Sequence, residues 1–303
     1  MTATSVLKRL TLFGLLSAVL FSLTFTGQAR AQVTAFMQAV AEAAASDRDI
    51  ADFYRATGYK AIWTGKDRKS KQRRQGFMRA VGDAGDHALP PARYDPATLK
   101  INIRAVRSER ERGRLEVEMS RLFLLYARDI QTGILVPRRV DEGIKREVPY
   151  RNRTSLLTAF SKSSAKGFLK SLPPKNPEYA RLMKEKIRFE KLIGKGGWGP
   201  KVQAKSLKPG QSSKAVVQLR NRLIAMGYLR RTSASTYDDR MRQSVAAFQR
   251  DHGLFTDGVA GEGTMAAINT QRETRLTQII AAMERERWMN MPRGKRHVWF
   301  NIT

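Results

Sequence analysis

Apolar residues recur at three- and four-residue steps through most of this chain, and that period constrains its fold more than any other feature. Over 115–131, Leu115, Met119, Leu122, Tyr126 and Ile130 keep the step while Phe123, Leu124 and Leu125 widen the apolar face, as in a helix with one buried stripe. Gly133 and Pro137 follow, in the order usual past a helix C-terminus. The same reading predicts a helix over 33–59, carried by Phe36, Val40, Ala43, Ala44, Ile50, Phe53 and Tyr54. It predicts a short helix over 76–85 and a longer one over 178–193, with Tyr179, Leu182, Met183, Ile187, Phe189 and Leu192. The fold class expected is mainly α.

Between these segments lie stretches of different character. Residues 66–75 (KDRKSKQRRQ) hold six basic residues and one acidic and are expected as a solvated loop. Residues 87–94 (HALPPARY) are a proline-locked turn. Residues 161–176 are polar, end in a proline pair and look like a connection. Residues 194–200 (GKGGWGP) fit neither G-x-x-x-x-G-K-[ST] nor G-x-G-x-x-G and follow a helix, so they are expected as a turn rather than a phosphate cradle.

The stretch 207–271 is more regular. Val216, Leu219, Leu223 and Met226 mark one helix, with Ser212 or Ser213 as N-cap and Gly227 as terminator. Asp238 or Asp239 begins a second, whose inward residues are Met241, Val245 and Phe248 and which stops near His252-Gly253. After the turn Thr256-Asp257-Gly258, a third helix carries Met265 and Ile268. Three short helices around one core are expected here.

Length and charge bound the rest. With 303 residues, 42% of them hydrophobic, the chain can fill one large or two ordinary cores. Its 56 Lys and Arg against 27 Asp and Glu, a net charge of +29, point to anionic partners. There is no cysteine, hence no disulfide and no thiolate metal ligand or nucleophile in these residues. Lys8 and Arg9 precede an apolar run over 10–25, and Ala29-Arg30-Ala31 offers small residues flanking a cut before Gln32, so 1–31 reads as an export signal peptide. The other reading is an uncleaved membrane anchor, because 10–28 carries no charge and approaches the roughly 20 residues of a spanning helix. Both place the remainder outside the cytoplasmic membrane, in the periplasm. The polyanions met there are peptidoglycan stem-peptide carboxylates, lipid head groups and lipopolysaccharide phosphates. Nucleic acid is not expected as a partner, since the densest basic run holds no aromatics on which bases stack.

Further motifs narrow the reading. L-x-P-G-x-S-S-x-x-V-x-x-L-R-x-R-L-x-x-x-G-Y-L (207–229) is followed by Tyr237-Asp238, F-Q-R-D-H-G-L (248–254), D-G-V-A-G (257–261), Thr264 and Ile268-Asn269. This resembles the peptidoglycan-binding domain carried by many bacterial wall enzymes. Phe53-Tyr54, Tyr59, Ile62-Trp63, D-H-A-L-P-P-A-R-Y-D (86–95) and Y-A-R-D-I-Q-T-G-I-L-V-P (126–137) resemble the N-terminal scaffold of long, multidomain L,D-transpeptidases. The Gly-Gly-Trp turn at 196–198, I-A-A-M-E-R-E-R-W (280–288) and R-H-V-W-F-N-I (296–302) resemble that family's turn ahead of its wall module, its helix entering the catalytic domain, and that domain's first strand. The resemblance implies a signal or anchor at 1–31, a helical scaffold at 32–200, a peptidoglycan-binding domain at 207–271, and a linker helix with a first strand at 272–303. Unpaired, the apolar run 297–302 would be an aggregation liability.

In that family a cysteine in a Ser-His-Gly-Cys setting, with an upstream histidine, carries the reaction. That chemistry needs a thiolate, a base and an oxyanion hole, and without cysteine no catalytic residue is assigned and no transpeptidation is expected from this chain alone. His87, His252 and His297 lack H-x-H or H-E-x-x-H spacing, so neither a zinc hydrolase, a metal nor a cofactor is expected. Glu284 and Glu286 lie among arginines and Asp238 and Asp239 begin a helix, which explains these acids without a hydrolase site.

Peptidoglycan is the expected partner, with other wall enzymes as further ones. Arg220 and Arg222 would offer guanidinium forks to stem-peptide carboxylates, Tyr228 a flat face to sugar or peptide, and Gln249 and Asp257 hydrogen bonds to ligand amides. The leading expectation is an exported, non-catalytic wall-binding protein. The alternatives are a truncated form of an active L,D-transpeptidase whose cysteine domain lies beyond Thr303, and a basic polyanion binder without wall specificity.

Overall fold

The computed structural model describes residues 33–292, 294 and 296. The expected export segment at 1–31 and strand at 297–302 lie outside the described residues. The protein is mainly α, and among the described residues there is no regular strand.

Where one helix is expected over 33–59 there are two, α1 (Ala35–Ala44) and α2 (Arg48–Ala56). Asp47 has extended backbone and its carboxylate accepts from the amide of Ile50, so it caps α2 and breaks the helix that apolar spacing alone would continue. The basic run is not a loop either. Asp67 caps α3 (Arg68–Gly82) through the amide of Ser70, and its Arg73 is buried, donating to the carbonyls of Ile62 and Ser161. The proline segment forms two 3-10 turns, Asp83–His87 and Pro91–Arg93. Asp95 then caps α4 (Pro96–Ala105), a helix too weakly periodic to be read from sequence.

The central element is α5 (Glu109–Thr132), which starts one and a half turns before the expected point. Ser108 and Glu111 close a capping box there, satisfying two otherwise orphaned amides. α1 lies along α5 so closely that a Cβ at Gly113 would fall 2.8 Å from the carbonyl oxygen of Phe36. After a short α6 (Pro137–Val140) and an irregular stretch, α7 (Arg153–Lys162) packs on α2 and α5. The expected polar connection folds as α8 (Ala165–Lys170), which lies on α3 and buries Leu169 and Leu172 in the core. At the centre Trp63 meets Phe77, Phe123 and Phe160 at ring-centroid distances of 5.4, 5.6 and 4.9 Å.

α9 (Pro177–Gly194) leaves this core, the three-helix module follows, and α13 (Arg272–Trp288) returns. Arg272 at the start of α13 donates to the carbonyl of Gly196 just beyond α9, and Arg287 near its end reaches the hydroxyl of Tyr179 near the start of α9. The two helices are therefore an antiparallel pair with the module inserted at its tip. α13, the expected linker helix, packs along α9 and α5. Inside the module α10 (Lys214–Met226), α11 (Asp239–Asp251) and α12 (Glu262–Asn269) are capped by Ser213, Asp238 and the Gly261 backbone. They close a second core of Leu219, Leu223, Met241, Val245, Phe248, Met265 and Ile268. Single bridges Leu207–Ala260 and Ser212–Thr236 tie the loops across it.

Candidate functional site

Of the five polar residues singled out in the module, the structure joins two directly. The Gln249 amide nitrogen donates to Asp257 Oδ1 (2.9 Å), the Val259 carbonyl (2.9 Å) and Thr264 Oγ1 (3.1 Å), while its oxygen accepts from the amide of Gly258 (2.9 Å). Asp257 Oδ1 also accepts from the amide of Val259 at 2.8 Å, and the hydroxyl of Tyr237 donates to the Gly258 carbonyl at 2.8 Å. These bonds hold the turn 257–261 in place. Gly258 is required there, having φ +71° and a Cβ position 2.9 Å from the Arg242 carbonyl oxygen. The amide of Val259, with help from Gln249, holds the Asp257 carboxyl below its ordinary range. Gln249 is 1% exposed, so its amide is a framework group and presents no donor to a ligand. Asp257 is exposed and keeps an oxygen for solvent.

Arg222 is also a framework group, 4% exposed. Its Nε donates to the Ile268 carbonyl (2.7 Å), Nη1 to those of Gly199 (2.9 Å) and Pro200 (3.2 Å), and Nη2 to that of Thr270 (3.3 Å). The fork expected to take a stem-peptide carboxylate is directed at main-chain carbonyls where the module meets α9 and α13. Its Cζ lies 5.7 Å from the centroid of the Trp198 ring, and Trp198 packs edge-on against Phe189 of α9 at 5.6 Å. The Gly-Gly-Trp turn is thus a joint. Gly196, Gly197 and Gly199 all have positive φ, and a Cβ at Gly197 would fall inside the Arg272 side chain.

Arg220 and Tyr228 keep more freedom. Arg220 donates to the Ala234 carbonyl at 2.7 Å and to Asn221, and is half-buried. The Tyr228 ring stands edge-on to Phe248 at 5.3 Å, and its hydroxyl donates to Asp251 at 3.1 Å. Burial and that carboxylate push the phenol up to about 12, so it stays a neutral donor. His252 stacks on Phe248 at 3.9 Å and bonds the Phe248 carbonyl through Nδ1. Phe255, on the adjoining turn, is 85% exposed. It escaped notice in the sequence because an aromatic after Gly253-Leu254 reads as core. The surface available to a ligand is therefore Tyr228, Arg220, the exposed face of Asp257 and the Phe255 ring.

In the scaffold the motif residues also face one another. Asp129 is fully buried and takes Arg93 Nε at 2.5 Å and the Tyr94 hydroxyl at 2.9 Å. Glu284 accepts from the amide of Leu135 (2.7 Å), Arg287 Nη1 (2.8 Å) and Trp288 Nε1 (3.3 Å) beside Gly133, where a Cβ would strike its carboxylate. Among the described residues no group of three His, Asp or Glu is placed to hold a metal ion.

The class defined by this geometry is an all-helical scaffold presenting a small helical module on a helix pair. Comparison with known families gives each part a description: 48–185 match a family described as "Scaffold domain", and 212–268 match one described as "Putative peptidoglycan binding domain". No curated protein matches the chain. The module is thus a peptidoglycan-binding domain, and cell-wall binding is the function it supports.

Proposed function

We propose that this protein is an exported envelope protein that holds peptidoglycan through residues 207–271, on the non-catalytic framework of an L,D-transpeptidase. The observation that carries the reading is the order of parts: a scaffold match, the Trp198 joint, then a peptidoglycan-binding match. In this reading Arg220, Tyr228, Asp257 and Phe255 meet the wall, the aromatics lying against sugar or peptide and the guanidinium meeting carboxylates. The 303 residues hold no cysteine, so they supply wall attachment and leave any thiolate chemistry to another domain or partner enzyme.

The test is retention of the protein on insoluble peptidoglycan sacculi across a salt series. Beside it runs a variant in which a short Gly-Ser link replaces the module. Gly196 and Arg272 already touch, so that link does not have to stretch. Retention that survives moderate salt and vanishes with the module is expected. Retention lost at low salt, or matched by heparin, would instead mean that charge alone is read. The transpeptidase relation is tested by reading the gene past codon 303, where an in-frame Ser-His-Gly-Cys segment is the supporting result.

A further inference from the structure

Four cations converge on a cleft of about 560 Å³ between α3 and α4, lined by Arg74, Gln75, Met78, Arg79, Lys100, Ile103 and Arg104. No acidic residue lines it. Among the described residues none of the four cations is in an ion pair. The nearby carboxylates are engaged elsewhere: Asp67 caps α3, Asp95 caps α4, and Glu118 takes the amide of Asn102. Arg74 is held in place through Nη1 by the carbonyls of Trp63 and Gly65, which leaves Nε and Nη2 for a ligand. The scaffold's larger groove, about 1000 Å³ along α5, is different in kind. Asp47, Asp95 and Glu118 line it among its arginines, and Arg93 is paired with Asp129 and Arg153 with Asp47 and Asp49.

Like charges placed together without counter-charge repel, and an anion resolves that repulsion. The apolar residues decide which anion. Met78 and Ile103 line the cleft and Ile101, beside Lys100 on α4, is 64% exposed. Stem-peptide carboxylates bring only small methyl groups to such a surface, and nucleic acid would want aromatic platforms, of which the cleft has none. Phosphates at the edge of an apolar phase suit both features. The geometry points to the α3–α4 cleft as a docking site for anionic phospholipid head groups, with Arg74, Arg79, Lys100 and Arg104 on the phosphates and Ile101 entering between the heads. It gives Arg74, at the end of the basic run, a role separate from wall binding, and brings the scaffold to a membrane surface through side chains of α3 and α4.

The test is co-sedimentation of residues 32–303, which hold both folded cores and leave out the apolar run at 10–25, with phosphatidylglycerol and phosphatidylcholine vesicles at physiological ionic strength. The wild type is compared with Arg79→Gln/Lys100→Gln/Arg104→Gln and with an equal-charge control on the module, Arg230→Gln/Arg231→Gln/Arg240→Gln. All six side chains are exposed, so both triples keep the fold. At about fivefold per cation, the cleft triple lowers partitioning into phosphatidylglycerol on the order of 100-fold, the control far less, and Ile101→Ser lowers it further. Sacculus retention stays unchanged in the cleft triple. Equal losses in the two triples, or equal binding to phosphatidylcholine, would overturn the proposal. So would competition by millimolar inorganic pyrophosphate, which would make the site one for free phosphate. A wall-binding failure leaves this vesicle result intact, so the two readings fail separately.

Discussion

Scaffold and module solve one problem with opposite charges. In the scaffold, Glu116 is fully buried on α5 and its carboxylate takes the amides of Ile62 (2.6 Å), Trp63 (3.0 Å) and Thr64 (2.7 Å), with the hydroxyls of Thr64 (2.7 Å) and Tyr54 (2.9 Å). In the module, buried Arg222 takes the carbonyls of Gly199, Pro200, Ile268 and Thr270. Each satisfies an irregular segment that no helix or sheet would satisfy, one as acceptor and one as donor. The anion also keeps Tyr54 protonated, since burial and the Glu116 charge push its phenol well above the usual range. The difference lies in what is joined. Glu116 organises the interior of one domain, whereas Arg222 fastens the module to the helix pair that carries it.

That contrast can be broken first at Glu116. Glu116→Ala strands the buried amides of Ile62 and Trp63 and the part-buried amide of Thr64 at ~1–3 kcal/mol each, so a loss of at least about 3 kcal/mol is expected. Urea unfolding followed by circular dichroism reads it, and a change under about 1 kcal/mol would remove the comparison's first half. Arg222→Met comes next, at about 2–4 kcal/mol. Here the module loosens from α9 while the scaffold stays folded, so limited proteolysis should cut near 195–201 in the variant and not in the parent. Gln249→Ala costs about 2 kcal/mol confined to the turn 257–261, visible as faster amide exchange at Gly258 and Val259.

The smallest effect separates the two regions by pH. His87 sits at the root of the α9–α13 pair, its Nδ1 3.1 Å from the Tyr179 hydroxyl, and burial together with Arg287 lowers its pKa. The unfolded chain then takes up a proton at a higher pH than the folded one. The His87 contribution is complete above the unfolded value of about 6.5 and is lost as pH falls from there through the lower folded value. Thermal unfolding should show the scaffold softening as pH falls below about 6.5, and His87→Gln should flatten that slope. Asp67 acts lower, its carboxyl held at about 2 chiefly by the Ser70 hydroxyl. Its capping of α3 is complete above the ordinary carboxyl value near 4 and is lost as pH falls from there towards 2.

Legibility followed distance along the chain. The three module helices, with Ser213, Asp238 and Gly227 at their ends, stand where spacing and cap chemistry put them. The basic run and the polar connection do not show as helices in the sequence because their pattern is weak without partners. Arg73 is buried against the carbonyls of Ile62 and Ser161, 11 and 88 positions away. Glu116 leaves a trace in the sequence, as an acid at helical spacing from Gly113, Ser120 and Phe123 on the face that α5 buries. The capping Asp47 left one too, in the Ser46-Asp47 pair that interrupts the alanines.

The amino-acid sequence by itself determined the helical class, the number of module helices and their ends, and the large positive charge. The charge is composition alone, and the helices and their ends depend on contacts within three or four residues, which the period records directly. Only the tertiary structure decided that Arg222 and Gln249 serve the fold, that the module sits at the tip of a helix pair, and that Arg74, Arg79, Lys100 and Arg104 face one cleft. A guanidinium or carboxylate looks the same in sequence whether it meets water, a ligand or a carbonyl far along the chain. Which of these it meets is settled by packing.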